Sequence, residues 1–187
     1  TFIISDYSQI ELRVLAHLSS DKNMIEILSS IDSDIHTETA SRIFNISLDS
    51  VTKDMRRKAK EVNFGLIYGM ESFGLSKSLD ITKNEAQELI DAYFSQFPKI
   101  KGFLDAIVSD AEKNGFTKTL YGRKRIIKEL GSSNFQLKAM GKRIAMNAPI
   151  QGTAADIMKI AMLKVESKIS DLKSTDLLLQ IHDEIIV

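Results

Sequence analysis

The stretch KDMRRKAKEVNFGLIYG, Lys53 to Gly69, reads as one helix that ends oddly. Gly65 and Gly69 each cost a helix roughly 1 kcal/mol relative to alanine, yet they flank two aromatics inside a helical pattern. Arg56, Lys60, Phe64 and Tyr68 recur every fourth position. At 100° per residue each successive member advances by about 40°, so all four share about one third of the helix circumference. That face carries a guanidinium and an ammonium suited to phosphates, then rings on which a base or sugar can lie. The glycines would let another surface approach the backbone beside those rings, or let the helix bend and end there. The face is therefore expected to meet a nucleoside triphosphate. The competing reading is an amphipathic core helix, with Phe64 and Tyr68 buried and the basic side chains snorkelling outward.

Working outward, the chain is mostly helical with strands near its ends. TFIIS is a short β-branched and aromatic run leading into Asp6, after which Ile10, Val14, Leu15 and Leu18 take helical spacing. Further helices are predicted near 22–29, 35–44, 53–68 and 83–96, the last opened by a capping box of Thr82 and Glu85 with Ile81 and Ala86 as staple. Pro98 starts a helix that should stop at Asn114-Gly115. FTKTLYGRKRII alternates around a glycine turn and reads as a hairpin. Two helices, roughly 134–147 and 152–170, should follow, separated at Pro149. DLLLQIHDEIIV has strand composition on both sides of a polar centre. The chain opens and closes inside strand-like runs, so a segment of a longer protein, cut at both ends, is expected.

With 187 residues and 43% hydrophobic content the chain can bury a good core. It has no cysteine, which excludes disulfides and thiolate-bound zinc, and its three histidines, His17, His36 and His182, lie far apart. No charge-free apolar run approaches the ~20 residues of a membrane helix, so no membrane partner and a cytoplasmic setting are expected. The zero net charge hides an asymmetry: between Lys118 and Arg143 eight basic residues face the single acid Glu129. A second basic cluster runs from Lys53 to Lys60. Such patches suit a polyanion such as nucleic acid, although a solvated charged face would look the same.

Asp6 follows FIIS and Asp183 follows LLLQIH, so each carboxylate stands where an apolar strand meets a polar turn. If those strands pair, two carboxylates 177 residues apart in sequence become neighbours. Their repulsion would be relieved by a hard divalent ion such as Mg²⁺, which takes oxygen ligands from one or two carboxylates plus substrate phosphates. The competing reading is that each aspartate caps a turn.

DYSQIELR (Asp6–Arg13), RRKAKEVNFGLIYG (Arg56–Gly69) and HDE (His182–Glu184) resemble, in order, motifs A, B and C of the family A DNA polymerases, and DIHTETA, TLYGRKR and NAPIQGTAAD resemble the sequence between them. The resemblance implies an α+β fold in which mostly helical fingers are inserted between the catalytic strands of an antiparallel palm sheet. Residues 1–35 would be the first part of the palm, 36–130 the fingers and 131–187 the second part of the palm, with the thumb outside the chain. It implies template-directed DNA synthesis by a monomer, associated with the nucleoid, acting on primer-template DNA and dNTPs.

Carried over by residue, the resemblance implies two Mg²⁺ ions held by Asp6, the backbone carbonyl of Tyr7 and Asp183. Arg56, Lys60 and His36 would contact the triphosphate, Lys60 also protonating the leaving pyrophosphate, and Phe64 would pack on sugar and base. Glu11 would fill the space of a 2′-hydroxyl while hydrogen-bonded to Tyr68, with Gln9 close to the nucleotide. Arg143, Asn147 and Gln151 would touch the duplex near the site, Arg123 the DNA backbone and His182 the primer end, while Glu184 would approach the metals. His17 is assigned to packing. A metal-dependent nuclease or phosphohydrolase would use the paired aspartates but not the Arg56–Tyr68 face, and a non-catalytic nucleic-acid-binding module would need neither aspartate.

Overall fold

A computed structural model describes residues 1–30, 33–172 and 175–187. Among them run β1 (Ile4–Asp6), α1 (Ile10–Ser19), α2 (Lys22–Ser29), α3 (Ile35–Phe44), α4 (Lys53–Ile67), α5 (Ser72–Leu79), α6 (Lys83–Gln96), α7 (Pro98–Asn114), β2 (Phe116–Lys118), β3 (Lys124–Ile126), α8 (Phe135–Ile169), β4 (Leu179–Ile181) and β5 (Glu184–Ile186). The fold is α+β: a helical mass is inserted between β1 and the β4–β5 hairpin, and both small sheets are antiparallel.

Helix ends follow the local chemistry of the sequence. Thr52 and Thr82 cap α4 and α6 through their hydroxyls, and at α6 the Glu85 carboxylate returns the bond to the Thr82 N–H. Pro98 opens α7, and Gly115, at φ 75°, closes it in the left-handed conformation that glycine adopts without strain. The main core gathers Leu12, Leu15, Met24, Ile35, Val62, Ile67, Leu75, Tyr93, Phe97, Ile100 and Ile150 from α1 to α8. α5 lies in a stretch for which no helix is predicted. Its serines and Gly74 give it little intrinsic propensity, and it is held by burial of Ser72, Leu75, Ser76 and Leu79.

Asp21 joins two helices by one carboxylate. Its Oδ1 accepts the Met24 N–H at 3.1 Å to cap α2, and its Oδ2 accepts the Lys99 N–H at 3.0 Å in the first turn of α7. Asp21 is only 1% exposed, so removing the carboxylate leaves two donors without water to replace it. Asp21→Ala is expected to lower the unfolding free energy by about 3 kcal/mol, the sum of two cap losses, read as a shifted denaturation midpoint at constant m-value. A loss of under about 1 kcal/mol would mean that both helix ends find other acceptors.

The break expected at Pro149 is absent: α8 is one helix of 35 residues, about 52 Å long. The roughly 3 kcal/mol that an interior proline costs is offset by packing along both halves. A Cβ on Gly141 would sit 2.9 Å from the Leu130 backbone nitrogen, and one on Gly152 2.6 Å from Thr119 Cγ2. The Thr153 hydroxyl donates to the Pro149 carbonyl at 2.6 Å and accepts the Leu120 N–H at 3.0 Å, tying the β2–β3 loop to the proline turn.

The strand order β1-β5-β4 corrects a second expectation. β1 does not pair with the run preceding Asp183 but with β5, which follows it, because the chain reverses at His182-Asp183 and places β5 in the centre. The register sets Asp6 opposite Glu184, and reciprocal bonds between Ile3 and Val187 extend the ladder.

Candidate functional site

Helix α4 divides its residues by face. Ala59, Val62, Asn63, Leu66 and Ile67 are buried, while Arg56 and Lys60 are exposed and Phe64 is half-buried at the margin of the core. Tyr68 is the C-cap residue and remains 37% exposed, so the reading that buries it in the core does not hold. The rings form a row: His36 lies 5.6 Å from Phe64, and Phe64 stacks on Tyr68 at 6.5 Å with 19° between planes. The glycines of NFGLIYG face the protein itself. A Cβ on Gly65 would touch Met70 Sδ at 3.1 Å. Gly69 has φ 68°, and a Cβ there would meet Arg143 Cγ at 2.9 Å and Met146 Cε at 2.8 Å, so this glycine both ends α4 and admits α8.

The Tyr68 hydroxyl donates to Glu11 Oε2 at 2.8 Å, joining α4 to the first turn of α1. Burial and the Glu11 carboxylate push the Tyr68 phenol up to about 12, so it stays a donor. Burial likewise raises the Glu11 carboxyl, opposed by the Tyr68 hydrogen bond and reinforced by Asp183. Glu11, Gln151, His182 and Asp183 line one cleft of about 190 Å³.

Asp6 and Asp183 come together through the sheet. The Tyr7 N–H donates to the Asp183 carbonyl at 3.0 Å just beyond the Asp6–Glu184 pair. Cross-strand partners share a sheet face, which puts Glu184 on the side of Asp6. Burial and then the Asp6 charge raise the Asp183 carboxyl, with His182 opposing. Asp183, raised by burial and by the neighbouring Asp6 charge, forms with Asp6 a hard-oxygen donor set of the kind that shares a divalent cation with substrate phosphates. Among the described residues no three His, Cys, Asp or Glu side chains gather as a closed protein cage. The residues present fit an open site for a hard divalent cation. Gln9 at φ 55° and His182 at φ 50° are both left-handed non-glycine residues, and they flank this region in sequence; such conformations cluster at functional sites.

At the other end of the aromatic row lies Asp34. Its carboxylate caps α3 by accepting the His36 N–H at 3.1 Å, accepts the Thr37 hydroxyl at 2.7 Å and pairs with the Arg56 Nε. Burial works to raise its pKa, but the Arg56, Thr37 and His36 bonds outweigh it and hold the carboxyl down at about 2. His36 is shifted below its ordinary value, first by burial and then, against the pull of Asp34, by Arg56 and Lys60. The sequence marks Asp34 as a helix cap at most; its pairing across 22 residues with Arg56 is tertiary and has no local signal.

Arg143, Asn147 and Gln151 lie on the unbroken α8, so their spacing of four runs as one stripe. Asn147 and Gln151 line a cleft of about 300 Å³ together with Lys118, Arg123 and Arg125 from the hairpin. Arg123 donates through Nε to Asp156 at 2.8 Å and through Nη2 to the Gly152 carbonyl at 2.9 Å, which anchors the hairpin on α8. His182 is exposed in the β4–β5 turn. His17 does not pack: its side chain points outward from α1, because the buried stripe there is Ile10, Leu12, Val14, Leu15 and Ala16.

The family model for DNA polymerase family A matches residues 1–187. The chain is 48% identical over 187 residues to DNA polymerase I of Caldicellulosiruptor bescii, covering 99% of this chain and 22% of that protein. It is 49% identical over 183 residues to DNA polymerase I of Bacillus subtilis, covering 97% of this chain and 21% of the relative. Among solved structures it is similar to the POL domain of Pol1 from M. smegmatis in complex with DNA primer-template and dNTP, at TM-score 0.93 and 42% identity over 99% of this chain and 33% of that one. The chain thus spans about one fifth of the length of the polymerase I relatives. No described helix is long and apolar enough to cross a membrane.

Proposed function

Because the chain belongs to DNA polymerase family A, we propose that it carries the nucleotidyl-transfer site of a template-directed DNA polymerase, joining the α-phosphate of a dNTP to a primer 3′-hydroxyl with release of pyrophosphate. The observation that carries this reading is the convergence, on one side of the chain, of the Asp6/Asp183 pair with the Glu11–Tyr68 bond at the end of the His36–Phe64–Tyr68 row. A phosphohydrolase has use for the aspartates alone.

In this reading two Mg²⁺ ions held by Asp6, Asp183 and the Tyr7 carbonyl would lower the pKa of the primer hydroxyl and stabilise charge on the departing pyrophosphate. Arg56, Lys60 and His36 bind and orient the triphosphate, and Lys60 gives a proton to the leaving group. Phe64 supports sugar and base, Glu11 occupies the 2′ space and Gln9 adjoins the nucleotide. Arg143, Asn147, Gln151 and His182 contact the primer-template near the reacting end, where donors can reach the minor-groove acceptors common to all correct pairs. Arg123 and the neighbouring hairpin charge meet the DNA backbone, and Glu184 stands close to the metals. In this arrangement residues 1–35 and 131–187 form the palm and 36–130 the fingers, acting as a monomer in the cytoplasm.

The test is single-nucleotide primer extension by the full-length protein with dNTP and Mg²⁺, with pyrophosphate released one for one. Cleavage of DNA without dNTP, and no extension, would favour the nuclease reading. Phe64 adds a more specific expectation, since a phenylalanine there has no hydroxyl to replace the bond that a missing 3′-hydroxyl would make to the triphosphate. Phe64→Tyr should raise the dideoxy/deoxy ratio of kcat/KM by about tenfold to a hundredfold, the worth of one hydrogen bond to a charged group. An unchanged ratio would place the Phe64 ring away from the sugar.

A further inference from the structure

Asn63 is buried on α4 along the edge of the proposed substrate face, about 20° round the helix from Arg56, and reaches that face through a side chain. Its Nδ2 lies 3.2 Å from His36 Nδ1 and 3.2 Å from Thr39 Oγ1, and the Thr39 hydroxyl in turn donates to Asn63 Oδ1 at 3.4 Å. Asn63 and Thr39 are fully buried and His36 is 5% exposed, so bulk water does not shuffle the protons of this cluster. The Thr39 proton satisfies the amide oxygen, and the amide N–H is directed at the ring. An imidazole nitrogen facing an N–H donor must itself be an acceptor. With the amide in this orientation His36 Nδ1 accepts, and in the neutral ring the proton resides on Nε2.

We propose that Asn63 is a positioning residue that locks His36 in its Nε2–H tautomer, so that the ring offers a fixed, uncharged N–H donor to a triphosphate oxygen beside the Arg56 and Lys60 cations. The inference rests on the reading of His36 as a triphosphate contact. Its physical logic is that a third full positive charge next to Arg56 and Lys60 would be costly in the absence of nucleotide. A neutral donor adds a directed bond without that charge. It also explains why the NFG run carries an asparagine on a helix face that otherwise buries Ala59, Val62, Leu66 and Ile67: the amide orients the ring of a neighbouring helix.

The full-length protein labelled with ¹⁵N-histidine tests this directly, because the chain has three histidines and His36→Gln identifies the peak. Without nucleotide, a long-range proton–nitrogen correlation should show His36 Nε2 protonated and Nδ1 bare. Asn63→Asp keeps the shape but can only accept, so at a pH high enough to keep the ring neutral beside the new carboxylate it should move the proton to Nδ1 and raise KM for dNTP by about tenfold, with kcat and primer-template affinity changed far less. In a His36→Gln background, whose amide N–H is not tautomeric, Asn63→Asp should no longer raise KM. A wild-type ring protonated on Nδ1 overturns the positioning role whatever the substrate, and an equal effect of Asn63→Asp with and without His36 reduces Asn63 to packing. An Nε2–H ring combined with a His36→Ala variant of unaltered dNTP KM would instead remove the triphosphate contact on which the proposal stands.

Discussion

Asp6→Asn and Asp183→Asn are each expected to slow the chemical step of nucleotide incorporation by several orders of magnitude while leaving primer-template affinity nearly unchanged. Each factor of ten corresponds to about 1.4 kcal/mol of lost transition-state stabilisation. The asymmetry follows from where the two side chains lie. Asp6 ends β1 and Asp183 is the second residue of the β4–β5 turn, whereas the basic hairpin and the Arg143–Gln151 stripe are on separate elements. An amide is nearly isosteric with the carboxylate but carries no charge, so the substitution spares the fold and removes the anion a divalent cation requires. Both changes should be tolerated structurally, because burial and the charge of Asp6 already work against an ionised Asp183 carboxyl. Single-turnover incorporation at a near wild-type rate in either variant would rule out a two-metal role for the pair.

The second large effect concerns the sugar. Glu11 is fixed by the Tyr68 hydroxyl at 2.8 Å in the cleft that also holds Asp183, and in the proposed reading this rigid carboxylate fills the space a 2′-hydroxyl would need. Forcing a hydroxyl into that space costs about 3–4 kcal/mol in overpacking and unpaired polar contact, so Glu11→Ala should raise the ribo/deoxy ratio of kcat/KM roughly 10²–10³-fold. The same substitution strips the Tyr68 phenol of its acceptor, so ordinary dNTP incorporation should fall as well, about tenfold. Tyr68→Phe separates the two causes: it frees Glu11 without emptying the space, and its ribo/deoxy ratio should move much less. The readout is competition between rNTP and dNTP at one template position, which reports kcat/KM directly. A ribo/deoxy ratio that does not change in Glu11→Ala would detach Glu11 from the sugar.

Much of this arrangement is readable in the residues before any coordinates. The α4 face is legible because four side chains at intervals of four need nothing beyond helix geometry, and the α6 capping box because its signal is local. Pro149 misleads for an instructive reason: local propensity argues for a break, but Gly141 and Gly152 let two other segments press on α8 from both sides of the proline. α5 escapes notice because its stability is almost entirely tertiary. Asp34 and Asn63 are the two polar residues of the site that no local pattern reveals. One looks like any helix cap and the other like a helix-interior asparagine, and both act through partners more than 20 residues away. The pairing of β1 with β5 instead of with the run before Asp183 turns on a two-residue reversal whose first member, His182, lacks the glycine that usually marks such a turn.

That pairing has a consequence for how the proposed site is assembled. Among the described residues β1 pairs with β5, so the contact that unites the two aspartates closes a loop of nearly the whole chain. The entropic cost of such closure grows slowly, about 0.6 kcal/mol for each doubling of loop length, but it must be met before the contact gives anything back. The α-helices, by contrast, can assemble around Leu12, Ile35, Val62 and Phe97 without the sheet. On refolding from denaturant, far-ultraviolet ellipticity should therefore return ahead of nucleotide incorporation. A preparation with full helical signal can still hold molecules whose two aspartates have not yet met, and only an activity titration will count them.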